Sequence, residues 1–136
     1  MTDLAELLGA NYVLVRLKSA TDFERVRRDG RSHAHPLVVL VAWRRRPDEA
    51  AEQAGAAPGP LLTRVGFAAG KSVGTAVKLN RAKRLLRAAL QACEAEIEQG
   101  WDLLLIARRP LAQVKLAQAQ AALSQVLRRA RVLRQS

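Results

Sequence analysis

Between Gly70 and Gly100, the apolar residues Leu79, Ala82, Leu86, Leu90, Cys93 and Ile97 recur at spacings of three or four. At about 100° per residue they gather on one side of a helix, so the spacing predicts an amphipathic helix from about Ala76 to Gln99, closed by Gly100. One apolar stripe needs a surface to cover it, and the flanking segments provide strands. Leu37 to Trp43 and Asp102 to Ala107 are short, nearly continuous apolar runs, while Leu62 to Ala69 alternates Val65 and Phe67 with Arg64 and Gly66. Pro36 limits ladder pairing where the first of these begins.

A shorter helix starts at Ser19 or Thr21, either able to cap it, and runs through Phe23 and Val26 to Gly30. A final helix spans about Ala112 to Leu133. The order helix, two strands, helix, strand, helix predicts an α/β (α+β) two-layer sandwich with a single sheet. A further short strand near Ser32 to His35 is compatible with the pattern but not forced by it.

At 136 residues, 49% of them hydrophobic, the chain suits one domain with a real core. Residues 1–15 read as an N-terminal extension, where Leu4, Leu7 and Leu8 stop at Gly9 and the ambiguous run Tyr12 to Val15 follows. Residues 16–136 form the domain. Within it, residues 44–60 hold charge, Ala, Gly and three prolines, the composition of a loop insertion.

Charge narrows the partners. The 23 Lys and Arg against 12 Asp and Glu leave a formal +11, which favours polyanions. No apolar run approaches the roughly 20 residues of a spanning helix. Asp3 and Glu6 stand where a signal peptide would carry positive charge, so a cytoplasmic protein without a membrane partner is expected. No obligatory protein partner is evident. The single Cys93 excludes an internal disulfide or a cysteine metal cluster, and its place in the apolar stripe reads as core packing.

Opposite that stripe lie Asn80, Arg81, Arg84 and Arg87, with Lys83 flanking them and Lys78 at the other margin. A charge run on a helix is ordinarily just a solvated face. Here, however, the cations crowd the opening turns, where exposed amides already carry partial positive charge, and the acids Glu94, Glu96 and Glu98 fall in the late turns. Helix stability would favour the reverse. A bound anion reconciles the arrangement, since amides and guanidinium groups converge on phosphate. Lys71, Ser72 and Thr75 in the preceding glycine-containing loop offer more donors, without the spacing of a Walker loop. The later cluster Arg128, Arg129, Arg131 and Arg134 ends a helix, where cations are favourable and no ligand is required.

Catalytic readings find less support. His33 and His35 share one face of an extended segment and have no third ligand nearby, so a metal site is not expected. The acids lie mostly in the 44–60 loop, as Asp48, Glu49 and Glu52, and late in the central helix, not in the cluster that a metal-dependent protein nuclease needs.

Several segments, in order, resemble the bacterial ribonuclease P protein subunit: Arg16 to Phe23, Arg25 to Gly30, Arg64 to Phe67, Lys71 to Arg87 and Gly100 to Pro110. The resemblance implies a fold similar to the second domain of ribosomal protein S5, with a left-handed β-α-β crossover. It also implies that the protein is the non-catalytic subunit of an endoribonuclease that matures the 5′ end of tRNA. Its partners would be the ribonuclease P catalytic RNA and precursor tRNA, and the chemistry would rest on magnesium held mainly by the RNA. Carried over by position, the sites for catalytic RNA are Lys71, Lys78, Asn80, Arg81, Lys83, Arg84 and Arg87. Leu79 stands where the family has the first arginine of its arginine-asparagine-arginine signature, and Ser72 where a second lysine is frequent. The implied cleft for the 5′ leader involves Phe23, Arg27 and Arg64. There Arg27 replaces a common second aromatic and Val41 a frequent tyrosine, which implies a grip with less stacking and more charge. The alternative is a ribosomal or general structured-RNA-binding protein without leader recognition.

Overall fold

The structure, a computed structural model, describes residues 14–17, 20–45 and 62–134. Most of the N-terminal extension and of the 44–60 insertion, and the capping position Ser19, lie outside those residues. The elements are β1 (Leu14–Arg16), α1 (Ala20–Asp29), β2 (Arg31–Ala34), β3 (Val38–Arg44), β4 (Thr63–Ala69), α2 (Ala76–Gln91), β5 (Trp101–Ala107) and α3 (Leu116–Arg129). The strands form one five-stranded sheet in the order β1-β4-β5-β3-β2. β1 and β5 pair parallel to β4, and β3 pairs antiparallel to both β5 and β2.

Two strands exceed the predicted pattern. The ambiguous run before Arg16 supplies β1, whose Leu14 and Val15 pair with Thr63 and Arg64, so the domain begins inside the expected extension. The optional strand near Ser32 is β2, which holds the sheet edge with Ser32 opposite Val41. Three residues are too few to show periodicity, which is why β1 was illegible as a strand.

The helices are shorter than their apolar spacing predicts. α2 stops at Gln91, and a single 3₁₀ turn, Glu94–Glu96, follows. The segment beyond is taken by the C-terminal tail: Ile97 bridges to Leu133, Glu98 N donates to Val132 O at 2.8 Å, and Arg134 N donates to Glu96 O at 2.6 Å. Ile97 is thus fully buried without being helical, a tertiary pairing that overrides local pattern. Gly100, with φ 99°, turns the chain into β5 instead of capping a helix. Likewise the final helix begins at Leu116, not Ala112. A 3₁₀ turn over Arg109–Gln113 precedes it, and the Gln118 side chain accepts from Lys115 N at 3.0 Å to start the α-helix.

Alternate residues of β3 and β5 face opposite ways. Val38, Leu40, Ala42, Leu103, Leu105 and Ala107 join Val65 in the main core beneath α2 and α3. On the other face Val41 and Leu104 pack with Leu17 and Val26 under α1. The helix ends tightly there, because a Cβ on Gly30 would stand 2.5 Å from Val26 O and 2.9 Å from Val41 Cγ1. Val39, Trp43, Ala68 and Ile106 on this face stay only half-buried.

Candidate nucleic-acid interface

The basic helix is set up locally by a 3₁₀ turn, Lys71–Val73, which buries Val73, and by Gly74 at φ 132°. Thr75 then caps α2, its Oγ1 accepting from Lys78 N at 3.4 Å. Ala82, Leu86, Ala89 and Leu90 are buried against the sheet, with Leu79 half-buried beside them, so Leu79 is part of the core stripe. Cys93 is also half-buried, and burial, aided by Glu96 and Glu94, pushes its thiol up to about 11.

Lys78, Asn80, Arg81, Arg84 and Arg87 are exposed and Lys83 lies half-exposed at the margin. Arg81 Nε donates to Ala112 O at 2.8 Å, tying it toward α3. Arg87 instead lies over the Phe67 ring, 5.5 Å from its centroid, on the β4 side. Arg84 stands with Arg81 along a shallow groove lined by Val77, Leu85, Ala88 and Leu116. Among the described residues none of the five cations from Lys78 to Arg87 is paired with a carboxylate.

Glu94, Glu96 and Glu98 lie beyond the helix, not in its last turns. Of the cations, only Lys78 falls in the first turn, and the others run along the whole outer face. What remains is an unpaired basic face that contains no acid at all.

On the second face, Phe23 lies directly over Gly66, where an added Cβ would meet its ring at 2.7 Å. The ring is half-buried and joins the cluster of Leu17, Val26, Val41 and Leu104, so it serves as core while bordering the open strip. Arg27 is exposed in the last turn of α1.

Arg64 is committed to carboxylates. Its Nε and Nη2 donate to Asp102 at 2.8 and 2.6 Å, and its Nη1 donates to Asp22 on α1 at 3.0 Å. The bond to Asp102, more than any other contact, raises its pKa further. Arg45 completes the network with Nε 3.1 Å from Asp102. Arg64 thus joins α1 to β4 and β5. Beside it, buried Thr63 accepts from Trp101 N at 3.2 Å and donates to Glu98 O at 2.5 Å, which pins the starts of β4 and β5 together.

At the carboxyl ends of β4 and β5 a cleft of about 640 Å³ continues this face, lined by His35, Ser72, Ile106, Arg108 and Arg109 among others. Open α/β sheets commonly bind ligands at such strand ends. Arg108 Nη1 donates to His35 O at 3.3 Å, and His35 Nδ1 accepts from Leu37 N at 3.0 Å. Two cations directly after a strand, Arg108 and Arg109, are the only local sign of this rim in the sequence. The two histidines part company: His35 lies past the end of β2, while His33, opposite Leu40, faces α3.

A family model described as Ribonuclease P matches residues 14–131. The chain belongs to the ribonuclease P protein family. The ribonuclease P protein component of Roseiflexus sp. is 38% identical over 124 residues, covering 89% of each chain. That of Herpetosiphon aurantiacus is 36% identical over 117 residues, covering 86% of this chain and 85% of the other. The solved RNase P protein of Staphylococcus aureus superposes with TM-score 0.69 at 27% identity, covering 87% of this chain and 96% of that one. The RNase P protein of Thermotoga maritima, at 22% identity and TM-score 0.66, shares the fold. In this ribonuclease P protein the family match spans every element from β1 to α3, so the basic helix and the half-covered sheet face both belong to the shared domain.

Proposed function

We propose that this chain is the protein subunit of ribonuclease P, gripping the catalytic RNA with the outer face of α2 and the 5′ leader of precursor tRNA with the open face beside α1. The carrying observation is the α2 face itself, where five cations and Asn80 meet no carboxylate among the described residues. Phosphates would complete it. Guanidinium groups are suited to this, since their forked donors match phosphate oxygens.

The second face supports leader binding by its mixture of surfaces. Val39, Ala68 and Ile106 offer an apolar strip for bases, with Phe23 at its border and Arg108 and Arg109 at its rim for the backbone. Arg64 acts here by holding α1 in place, and Arg27 by adding charge from the exposed end of that helix.

Among the described residues no group of three or more His, Cys, Asp or Glu side chains could hold a metal ion. The magnesium of the reaction is proposed to reside on the RNA. No helix among the described residues is long and apolar enough to cross a membrane.

The test is cleavage of precursor tRNA at low magnesium by ribonuclease P RNA with and without this protein. A gain in rate, together with tighter binding of precursor than of mature tRNA, is expected. No gain would refute the proposal, and a gain without that discrimination would leave the protein a structured-RNA binder lacking a leader cleft.

A further inference from the structure

A second cleft, of about 630 Å³, opens on the α3 side of the sheet edge and plays no part in the interface above. It gathers Arg31 from β2, Arg44 from the end of β3, and Arg129 and Arg131 from the end of α3, around His33 and Trp101. The antiparallel register explains the convergence, since Arg31 and His33 pair with Ala42 and Leu40, both of which face the α3 layer.

Countercharge is sparse. Asp29 lines the cleft too, and its carboxylate accepts from Arg28 at 3.2 and 3.4 Å in an exposed pair. Glu98 reaches Arg44 at 3.8 Å with both side chains well exposed, a contact of little strength. Among the described residues Arg31, Arg129 and Arg131 pair with no carboxylate. Burial, then Arg129 and Arg31, hold the His33 imidazole below its ordinary range.

Favourable placement at a helix end accounts for Arg128 and Arg129 but not for the whole group. Arg31 belongs to a strand. Arg131 has φ 59°, the left-handed position after a helix where glycine is the usual choice because other L-residues are strained there. An arginine at that position points to a use for its side chain. Arg44 lies 5.5 Å from the centroid of Trp101, and Arg129 Nη1 donates to Ala34 O at 2.7 Å, so two of the guanidinium groups are held in place before any ligand arrives.

We propose that this cleft is a second phosphate site, taking phosphodiester groups of an RNA strand on the opposite side of the sheet from the leader face. The inference rests on the RNA-binding function proposed above. Catalytic RNA and precursor tRNA carry the same chemistry, so the experiment has two arms. Affinity is measured against salt for the protein with ribonuclease P RNA, and for reconstituted holoenzyme with precursor tRNA, using Arg31→Ala, Arg31→Lys and Arg131→Gly. Each lost phosphate contact flattens the slope of log affinity on log salt by about 0.7–0.9. Arg31→Ala and Arg131→Gly are expected to do so in one arm, which names the strand, while Arg31→Lys keeps the parent slope. Arg131→Gly is also expected to raise Tm by relieving the backbone, so its weaker binding could not come from misfolding. Parent slopes for both neutral variants in both arms would overturn the proposal. An Arg81→Ala/Arg84→Ala variant in the same assay separates the two failures: if it flattens the slope and the cleft variants do not, only the cleft is refuted, and if it too keeps the parent slope, the reading of α2 falls.

Discussion

Replacing Asp102 by alanine would leave the guanidinium groups of Arg45 and Arg64 facing each other without their shared counter-ion. Asp102 is fully buried, while the side chains of Arg45 and Arg64 are 9% and 19% exposed. Removing one partner of a buried pair costs about 3–5 kcal/mol, since a charge remains desolvated. Water reaches Arg64 in part, and Arg45 Nη2 still donates to Leu62 O, so the low end, about 3 kcal/mol, applies. For a domain of this size that is a fall in Tm of roughly 12 °C, at about 4 °C per kcal/mol. Arg64→Ala costs less, about 1–2 kcal/mol, because Asp102 keeps Arg45 and Asp22 keeps Arg25 at 3.7 Å. Urea unfolding measures both, with an unchanged m-value certifying that the midpoint shift is a stability change. The reasoning fails if Asp102→Ala costs under about 1 kcal/mol, or if Arg64→Ala costs as much as Asp102→Ala.

Gly66→Ala places a methyl group 2.7 Å from the Phe23 ring, so it is expected to displace that ring and cost about 1–3 kcal/mol by overpacking, seen in urea unfolding together with weaker leader binding. His33, held below its ordinary 6.5 by burial and two arginines, binds protons less readily when folded; its contribution is full above pH 6.5 and lost as pH falls below it, so His33→Gln should flatten the decline in Tm from pH 7 to 5. Glu94 has the opposite sign: burial raises its pKa above the ordinary 4.5 and its Oε1 has no partner among the described residues, so its contribution is lost as pH rises, and Glu94→Gln is expected to stabilise the fold at pH 7 by about 1 kcal/mol. Cys93, with its thiol near 11, should react with a thiol reagent at pH 8 far more slowly than the unfolded chain does, and equal rates would contradict its burial.

Strand positions and the faces of α2 were legible because each depends on local periodicity. Leu79 is an instructive case: its spacing puts it in the buried stripe, and it packs there, although the resemblance implies an arginine at that position. The end of α2 was illegible because Ile97 continues the three-and-four spacing while its burial comes from Leu133, across the tail. The site was legible where it lies on one helix and hidden where it is assembled. Arg64 carried the alternation of a strand, but nothing local shows that Asp22 and Asp102, both far along the chain, take up its donors. The convergence of Arg31 with Arg131 is likewise a product of the β2–β3 register.

The open face beside α1 follows from a mismatch already present in the strands. β3 and β5 are apolar on both sides, which demands cover on both faces of the sheet. Among the described residues α2 and α3 cover one side, and only α1, with 10 residues and so about 15 Å long, lies on the other. Five strands span about 19 Å between the outer two, and the strands run further than one helix is wide. α1 is therefore too small to bury the face, and Arg64 clamps it to one side through Asp22. The remainder is the half-buried strip of Val39, Ala68 and Ile106, ending at Arg108 and Arg109. A sheet that exposes such a strip loses stability by doing so, unless a ligand with apolar faces and a charged backbone covers it. Single-stranded RNA is such a ligand, since its bases stack on apolar surface while its phosphates reach the rim. In the proposed complex the shortness of α1 is thus a functional property, leaving the leader to complete the second layer of the fold.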